Sequence, residues 1–284
     1  MELTDLKVFI TIAEEGSVSR AAERLGYVQS NVTARVRKLE DELGVSLFHR
    51  HPKGMSLTEK GSSFQEYASA ILHMSEEAVK SVRETPYPSG PLSIGVVETV
   101  HCGNFLNALS DYQAKYPEVS LSLGTGSSSE LQSKVLNYEL DGAFVTGEII
   151  SPKLVSAYSE QDELRLLTKQ PDTDYPDIRQ MKWAVSPKGC PFRKVLETWL
   201  QSEGIPLMNM IEIGSLETLL GCVRTGLAST LLPTSVLYGT YEQLGIFPIP
   251  EKFRFTQTSL IRRDGRFSSK AFTAFVEMVK ANGM

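Results

Sequence analysis

Residues 17–42, Ser17 to Glu42, read SVSRAAERLGYVQSNVTARVRKLEDE, and this spacing predicts two short helices joined by a tight polar turn. Ser17 stands where an N-cap belongs, and Val18, Ala21, Ala22 and Leu25 recur every three or four residues, which lays one apolar stripe along the first helix. Gly26 ends that helix, since a short turn usually needs φ > 0, and Ala22 is small where two helices cross closely. The second helix is expected to begin at about Gln29 or Ser30, with Val32, Val36 and Leu39 turned inward. Its other face carries Gln29, Ser30, Asn31, Thr33, Ala34, Arg35, Arg37 and Lys38. These amide, hydroxyl and cationic groups suit base edges and phosphates. With Ser19 and Arg20 on the first helix, they form a candidate helix-turn-helix contact surface for double-stranded DNA.

An ordinary amphipathic helix pair with solvated charges would share this spacing. Charge favours the nucleic-acid reading. Between Arg20 and Lys38 there are five Lys or Arg and one acid, Glu23, in a chain of net charge −5. Cations gathered at one place in an acidic protein point to an anionic partner there. The stretch that follows, VSLFHRHPKGMSLTEKG, places Val45–Phe48 and Met55–Thr58 as two short strands around a turn at His51, Pro52, Lys53 and Gly54. This is the pattern of a wing. Arg50, His51 and Lys53 would lie at its tip, within reach of phosphates or the minor groove.

The opening LTDLKVFITIAEEGSVSRAAERL, the second helix, RVRKLEDELGVSLFHR and SLTEKG together resemble a LysR-type transcriptional regulator, and the resemblance extends over essentially the whole chain. One departure stands out. Val28 occupies the place where that family usually has a Ser capping the recognition helix, and Ser30 the place where a Pro is common. The cap is therefore expected at Ser30 or Asn31, with the helix starting slightly later.

The chain has 284 residues, enough for two or three cores, and its 41% hydrophobic and 22% charged content is that of an ordinary globular protein. No run of eighteen apolar residues suggests a membrane span, and the first residues carry acids where a secretory signal would carry cations, so a cytoplasmic location is expected. Cys102, Cys190 and Cys222 lie far apart without a Cys-x-x-Cys spacing, which indicates neither a disulfide framework nor a metal site. Asn31-Val32-Thr33 matches a glycosylation sequon that has no meaning in that compartment.

From Thr58 or Glu59 to about Arg83 there is no Pro, and no Gly after Gly61. Phe64, Tyr67, Ala68, Ile71, Leu72, Ser75, Ala78, Val79 and Val82 form a continuous stripe. One helix of roughly 25 residues, about 37 Å long, is expected. A helix that long with a one-sided seam wants a partner, although packing on its own domain is the competing reading. The family resemblance implies two copies packed antiparallel. TPYPSGP, residues 85–91, is a hinge. Beyond it strands and helices alternate. Strands are expected at Leu92–Val97, Val119–Leu123, Gly142–Thr146, Glu163–Thr168, Lys182–Val185, Met210–Gly214, Ala228–Leu232 and Phe253–Arg262. Helices are expected at Asn104–Tyr116, Ser129–Tyr138, Pro191–Ser202, Leu216–Thr225 and Ser268–Ala281. The expected organisation is a winged helix-turn-helix domain at 1–58, a linker and dimerisation helix at 59–84, the hinge at 85–91 and an effector domain at 92–284. Lobe I of the effector domain comprises about 92–161 and 266–284, and lobe II about 162–265. The fold class is thus an α/β effector domain of two lobes, periplasmic-binding-protein-like, preceded by an all-α winged helix-turn-helix domain and a long linker helix.

Ligands of open parallel α/β sheets sit beyond the carboxyl ends of the strands, where helix N-termini offer free N–H groups. That rule selects Thr99 and Val100, Ser127 and Ser128, Thr146, Ser186 and Ser215 as candidate effector contacts. Thr99, Ser128, Thr146 and Ser215 correspond best to the positions the family resemblance implies. Each hydroxyl has a plainer competitor, as the cap of the next helix. Such a lining suits a small anion or carboxylate, and no cofactor is expected. Glu98 stands against a purely anionic ligand: it would repel one unless paired, would suit an amine or a metal cation, and is expected mainly to face solvent. GTGSSSE, residues 124–130, lacks both G-x-G-x-x-G and G-K-[ST], so nucleotide binding is weakly supported. Cys190 precedes a helix and raises thiol sensing, against which a structural thiol is favoured.

An enzyme would need a reaction centre. Of the four histidines only His101 falls near the cleft, and adjacent residues such as His101 and Cys102 rarely assemble a nucleophile and its base. No nucleophile-elbow, zincin or Walker motif is present. A solute-binding protein for transport would account for the second half alone. The reading adopted is a non-enzymatic DNA-binding regulator. Its expected partners are double-stranded DNA, a small effector, a second copy joined through residues 59–84 and then a tetramer, and RNA polymerase, with no membrane partner.

Overall fold

The computed structural model describes the chain except residues 53, 83–85, 101–103, 170–174, 238–240, 242, 266–267 and 284, and except the side chains of residues 77, 80 and 81. Lys53, His101, Cys102 and the expected helix end at Arg83 lie outside the described residues. The chain divides into two compact units, Met1–Glu84 with Asn137–Glu139, and Thr85–Leu136 with Leu140–Met284.

The first unit opens with α1 (Leu3–Glu15), α2 (Val18–Leu25) and α3 (Gln29–Leu43). Ser17 caps α2 with its Oγ accepting the Arg20 N–H, and Gly26 closes it at φ 68°. That left-handed conformation costs a residue with a Cβ roughly 1–2 kcal/mol, so glycine suits the turn. Leu6, Phe9, Ile12, Ala21, Ala22, Val32, Val36 and Leu39 meet in one core. Each of the larger aliphatic or aromatic side chains stabilises the fold by about 1.5–3 kcal/mol on burial. Phe9 sits at the centre, its ring 5.2 Å from that of Phe48 and 5.1 Å from that of Phe64.

The recognition helix does not start late. Its N-cap is Val28, in the extended region, with no side-chain cap bond, so Val28 occupies the Ser position without replacing the hydroxyl. The wing is β1 (Phe48–His51) paired antiparallel with β2 (Gly54–Leu57), shifted toward the turn from the expected Val45–Phe48. The shift follows from Leu47, which is buried beside Phe48 and whose N–H, like that of Phe48, donates to Glu40 Oε1 rather than to a strand. The Met55 N–H donates to the Gly16 carbonyl at 2.9 Å, tying the wing to the end of α1. A Cβ on Gly54, which has φ 136°, would collide with that carbonyl oxygen.

Helix α4 (Glu59–Val82) divides its apolar stripe in two. Phe64, Ala68 and Leu72 pack on the core of their own unit, whereas Tyr67, Ile71, Met74, Val79 and Val82 are exposed. The reading in which the helix packs on its own domain holds for the first side, and the second side stays exposed.

The second unit contains β3 (Gly90–Val96), α5 (Asn104–Lys115), β4 (Val119–Thr125), α6 (Ser128–Leu136) and β5 (Gly142–Thr146). It continues with β6 (Leu154–Thr168), β7 (Trp183–Val185), α7 (Pro191–Ser202), β8 (Met210–Glu212), α8 (Leu216–Thr225), β9 (Thr230–Pro233), β10 (Gly245–Pro248), β11 (Phe255–Arg263) and α9 (Lys270–Asn282). Strands β4, β3 and β5 are parallel, as expected. The sheet as a whole is mixed, because β11 joins β5 antiparallel and β6 joins β11 antiparallel.

Two cores share this unit. One gathers Ile94, Val96, Phe105, Tyr112, Phe144, Leu260 and Phe275 from β3, α5, β5, β11 and α9. The other gathers Leu164, Leu166, Trp183, Leu196, Trp199, Leu220 and Leu231 from β6 to β9, α7 and α8. Strand β6 starts in the first and ends in the second, and β11 runs back beside it. The expected strand at Glu163–Thr168 is thus the last six residues of a fifteen-residue strand. Its first nine residues lack a strict apolar–polar alternation and include Ser159, Glu160, Gln161 and Asp162 in succession, which hid it in the sequence. Strand β10 was not expected at all. Helix α9 returns the chain to the first core, where Phe275 packs edge-on against Tyr112 at 5.6 Å.

Candidate nucleic-acid interface and ligand cleft

Burial of Val32, Val36 and Leu39 turns Ser30, Asn31, Ala34, Arg37 and Lys38 of α3 outward, all exposed, with Gln29 exposed at its start. Ser19 and Arg20 are exposed on α2, and Arg50 is exposed on β1. Thr33 turns back, its Oγ1 donating to the Gln29 carbonyl at 2.9 Å. Arg35 is held at the rim of the helix. Its Nη1 is 2.7 Å from Asp5 Oδ1, and its Nε donates to Asn31 Oδ1 at 3.2 Å.

The acids of α1 change the charge argument. Arg20 pairs with Glu15, Arg24 with Glu14 and Glu15, Arg35 with Asp5 and Glu2, and Lys38 with Glu2 and Asp5. Of the five cations counted along the chain, Arg37 alone has no acidic partner among the described residues. The excess of five cations over one acid was real in sequence and is largely balanced in space, because Glu2, Asp5, Glu14 and Glu15 lie outside the window that was counted. Exposed pairs of this kind are worth at most about 1 kcal/mol and exchange readily for phosphate. Asp5 is the exception, since its side chain is buried. Burial pushes its carboxyl up, but the Glu2 N–H and then the Arg35 and Lys38 cations outweigh that and hold it below the usual aspartate range. Hydrogen bonding to Glu2 first, and then that charge, raises Lys38.

In the second unit one cavity of about 310 Å³ opens at the carboxyl ends of the strands. Its lining includes Thr99, Ser127, Ser128, Thr146 and Ser186, five of the seven expected contacts. Val100 is buried in a 3-10 turn after β3 and faces a different hollow beside Asp162, and Ser215 stays outside the lining as the cap of α8. Several of the hydroxyls also have structural work. Ser128 Oγ accepts the Thr146 N–H at 3.0 Å, Thr146 Oγ1 meets Thr258 Oγ1 at 2.9 Å, and Ser127 Oγ accepts the Glu130 N–H.

Sequence reading missed Lys188, Phe192, Leu216 and Leu232, which also line the cavity. Leu216, Phe192 and Leu232 carry only the periodicity of core residues, and Lys188 sits in a turn between Ser186 and Gly189, where a lone cation reads as solvated. Glu98 is exposed as expected, yet it is not unpartnered: its Oε2 accepts the Leu216 N–H at 2.8 Å, the first N–H of α8. Arg193, almost fully buried, ties the cavity rim from behind through Glu197, Glu212 and the Ser186 carbonyl. Cys190 is half-buried at the N-cap of α7, without a capping bond, and lines the cavity. Among the described residues no three His, Cys, Asp or Glu converge on a point that would hold a metal, and no helix is long and apolar enough to cross a membrane.

Residues 3–62 match the family model for the bacterial regulatory helix-turn-helix protein of the lysR family, and residues 86–283 match the model of the LysR substrate binding domain. The chain belongs to the LysR family. It is a LysR-family DNA-binding transcriptional regulator with an effector-binding domain. Similar LysR-family chains include the HTH-type transcriptional regulator SoxR of Arthrobacter sp. (strain TE1826), 40% identical over 99% of this chain and 97% of that protein. YusT of Bacillus subtilis (strain 168), an uncharacterized HTH-type transcriptional regulator, is 39% identical over 98% of this chain and 95% of its own length. The fold matches full-length OxyR from Pseudomonas aeruginosa, with a TM-score of 0.72 at 22% identity over 99% of this chain and 94% of the other. It also matches full-length CbnR in a complex with its target DNA, with a TM-score of 0.69 at 22% identity over the whole of both chains.

Proposed function

We propose that this regulator binds duplex DNA sequence-specifically as a dimer, and that a small effector bearing a carboxylate, held in the cavity of the second unit, modulates that binding without being turned over. The observation that carries the effector reading is the cavity itself. Strand ends from both cores and the N-termini of α6, α7 and α8 converge on it, and although Glu98 and Ser215 already engage N–H groups of α8, the partial positive charge at the starts of α6 and α7 favours an anionic group there. At about 310 Å³ it lies at the small end of ligand sites, which run from roughly 300 to 1,000 Å³, so the effector has metabolite size.

On the DNA side, the exposed face of α3 enters the major groove and Arg50 on the wing meets the adjoining backbone. CbnR, which shares this fold, is described in a complex with its target DNA, and that supports DNA as the partner. The exposed row Tyr67, Ile71, Met74, Val79 and Val82 on α4 calls for a second copy, since an apolar strip of this length is unfavourable in water. Further pairing to a tetramer would bend the operator, and ligand closure of the cavity would change the angle between dimers and the contact with RNA polymerase. A protein acting on chromosomal DNA in this way works in the cytoplasm. The experiment is a mobility shift with the DNA upstream of the protein's own gene, with and without a panel of small carboxylates. The expected result is a retained complex whose affinity or mobility changes with one class of carboxylate. No preference over random competitor DNA would reject the DNA half, and no response to any carboxylate would reject the effector half.

A further inference from the structure

Only two side chains in the described lining of the cavity carry charge, Glu98 and Lys188, and they have opposite signs. Glu98 follows β3, on the side of the first core. One of its oxygens is fixed by the Leu216 N–H at 2.8 Å, which orients the carboxylate toward α8 and leaves Oε1 for a donor. Lys188 follows β7, on the side of the second core, exposed and without an acidic partner among the described residues. Val97, Phe192 and Leu232, with Pro187 and Pro191, supply the apolar wall.

A simple carboxylate would enter against the charge of Glu98, and a simple amine would enter against Lys188 and the N-termini of α6 and α7, that of α8 being already faced by Glu98. Each would leave one charged group of the cavity unanswered. A ligand with both signs answers both. We propose that the effector is an α-amino acid, its ammonium donating to Glu98 and its carboxylate received by Lys188 and the first-turn N–H groups of α6, with its side chain against Val97, Phe192 and Leu232. This rests on the effector reading above and adds the ammonium and its acceptor. Charge-assisted hydrogen bonds of this type are the strong ones. Because Glu98 already bridges to α8, an ammonium on its second oxygen would also draw the two walls of the cavity together, which links recognition to closure.

The test uses the full-length protein and three matched sets: the common L-amino acids, the 2-hydroxy acids that replace each ammonium by hydroxyl, and the amines that lack the carboxylate. Thermal shift finds binders and titration calorimetry measures them. At least one amino acid should bind roughly 10- to 100-fold more tightly than its hydroxy acid and its amine, the range expected for one charged hydrogen bond. Glu98→Gln keeps an acceptor for the Leu216 N–H while removing the charge. It should lose that preference, binding the amino acid 10- to 100-fold more weakly and the hydroxy acid no less well than before. The melting temperature of the ligand-free variant separates this from misfolding. Hydroxy acids binding as tightly as amino acids, or an unchanged preference in Glu98→Gln, would overturn the ammonium assignment and leave the carboxylate reading standing. Binding of the amines alone would overturn both, and no binding by any amino acid would overturn the proposal.

Discussion

Asp5 on α1 and Arg35 on α3 form an ion pair of 2.7 Å around a carboxylate that is 1% exposed. The same carboxylate accepts the Glu2 N–H at 2.9 Å, so it closes the first turn of α1 while fixing how α3 crosses it. Asp5→Asn should therefore lower the melting temperature of the first unit near neutral pH. Burial raises this carboxyl and its hydrogen-bond and cationic partners lower it further than that, so its folded value lies below its unfolded one. The stabilisation is then complete above the unfolded value of about 3.9 and is lost as pH falls through the lower folded value. Unfolding curves of both proteins should show a constant gap from pH 7 to about pH 5 that closes below about pH 4. A gap that widens toward acid would refute the assignment.

Arg37 and Arg35 should separate binding from folding. Arg37 projects from α3 with no acidic partner among the described residues, so on the proposed DNA reading its removal should take away one phosphate contact per protomer. The slope of log affinity against log salt should fall by about 0.9 per protomer, with the melting temperature unchanged. Arg35→Ala instead removes the 2.7 Å partner of buried Asp5 and leaves it only the longer Lys38 contact at 3.8 Å, which should lower the melting temperature. Filter binding across a salt series, with thermal unfolding alongside, measures both. Equal slopes for wild type and Arg37→Ala would remove Arg37 from the interface.

The two helices around Gly26 were legible because their signals are local: a cap at Ser17, a left-handed stop and an apolar stripe at helical spacing. The boundaries of α7 and α8 were legible for the same reason, with Pro191 and Ser215 at their starts and Gly226 past the end of α8. What escaped depends on partners far apart in the chain. The acids that neutralise Arg24 and Lys38 come from another helix, and the Glu98 contact with Leu216 spans 118 positions. Long β6 carries Ser159, Glu160, Gln161 and Asp162 in succession while passing from one core to the other, so neither a helical nor a strand period marks that stretch. In the cavity, strand-end logic found the hydroxyls, but only geometry shows that Ser128 and Thr146 already serve the fold.

That double duty predicts a difference between two cavity hydroxyls. Ser128 is buried and its Oγ accepts the Thr146 N–H, so Ser128→Ala strands a buried donor and should cost about 1–3 kcal/mol of stability with no ligand present. Thr99 is only half-buried and lines the same cavity. Thr99→Val should change stability by no more than about 0.5 kcal/mol while weakening the effector response. Urea unfolding of the two ligand-free variants decides this, and equal losses would show that both hydroxyls are structural.

Val28 caps α3 with no side-chain acceptor, although its backbone has φ −77° and ψ 143°, the extended conformation that a capping serine adopts. It is also 69% exposed, so replacing it sacrifices little buried apolar area. In Val28→Ser the hydroxyl reaches the N–H of Ser30, or shares that of Asn31, which donates to the Val28 carbonyl at 3.0 Å, and stabilises the helix by about 1 kcal/mol. The melting temperature of the first unit should then rise by roughly 4–8 °C if that unit unfolds independently. The same N–H groups are the ones a phosphate meets when a recognition helix presents its N-terminus to the backbone. A serine hydroxyl that occupies them competes with that phosphate, so the stabilised variant should bind DNA no more tightly than wild type. Thermal unfolding and filter binding on one preparation test both halves. A variant that gains no stability would show that water already satisfies the first turn of α3 as well as a hydroxyl would.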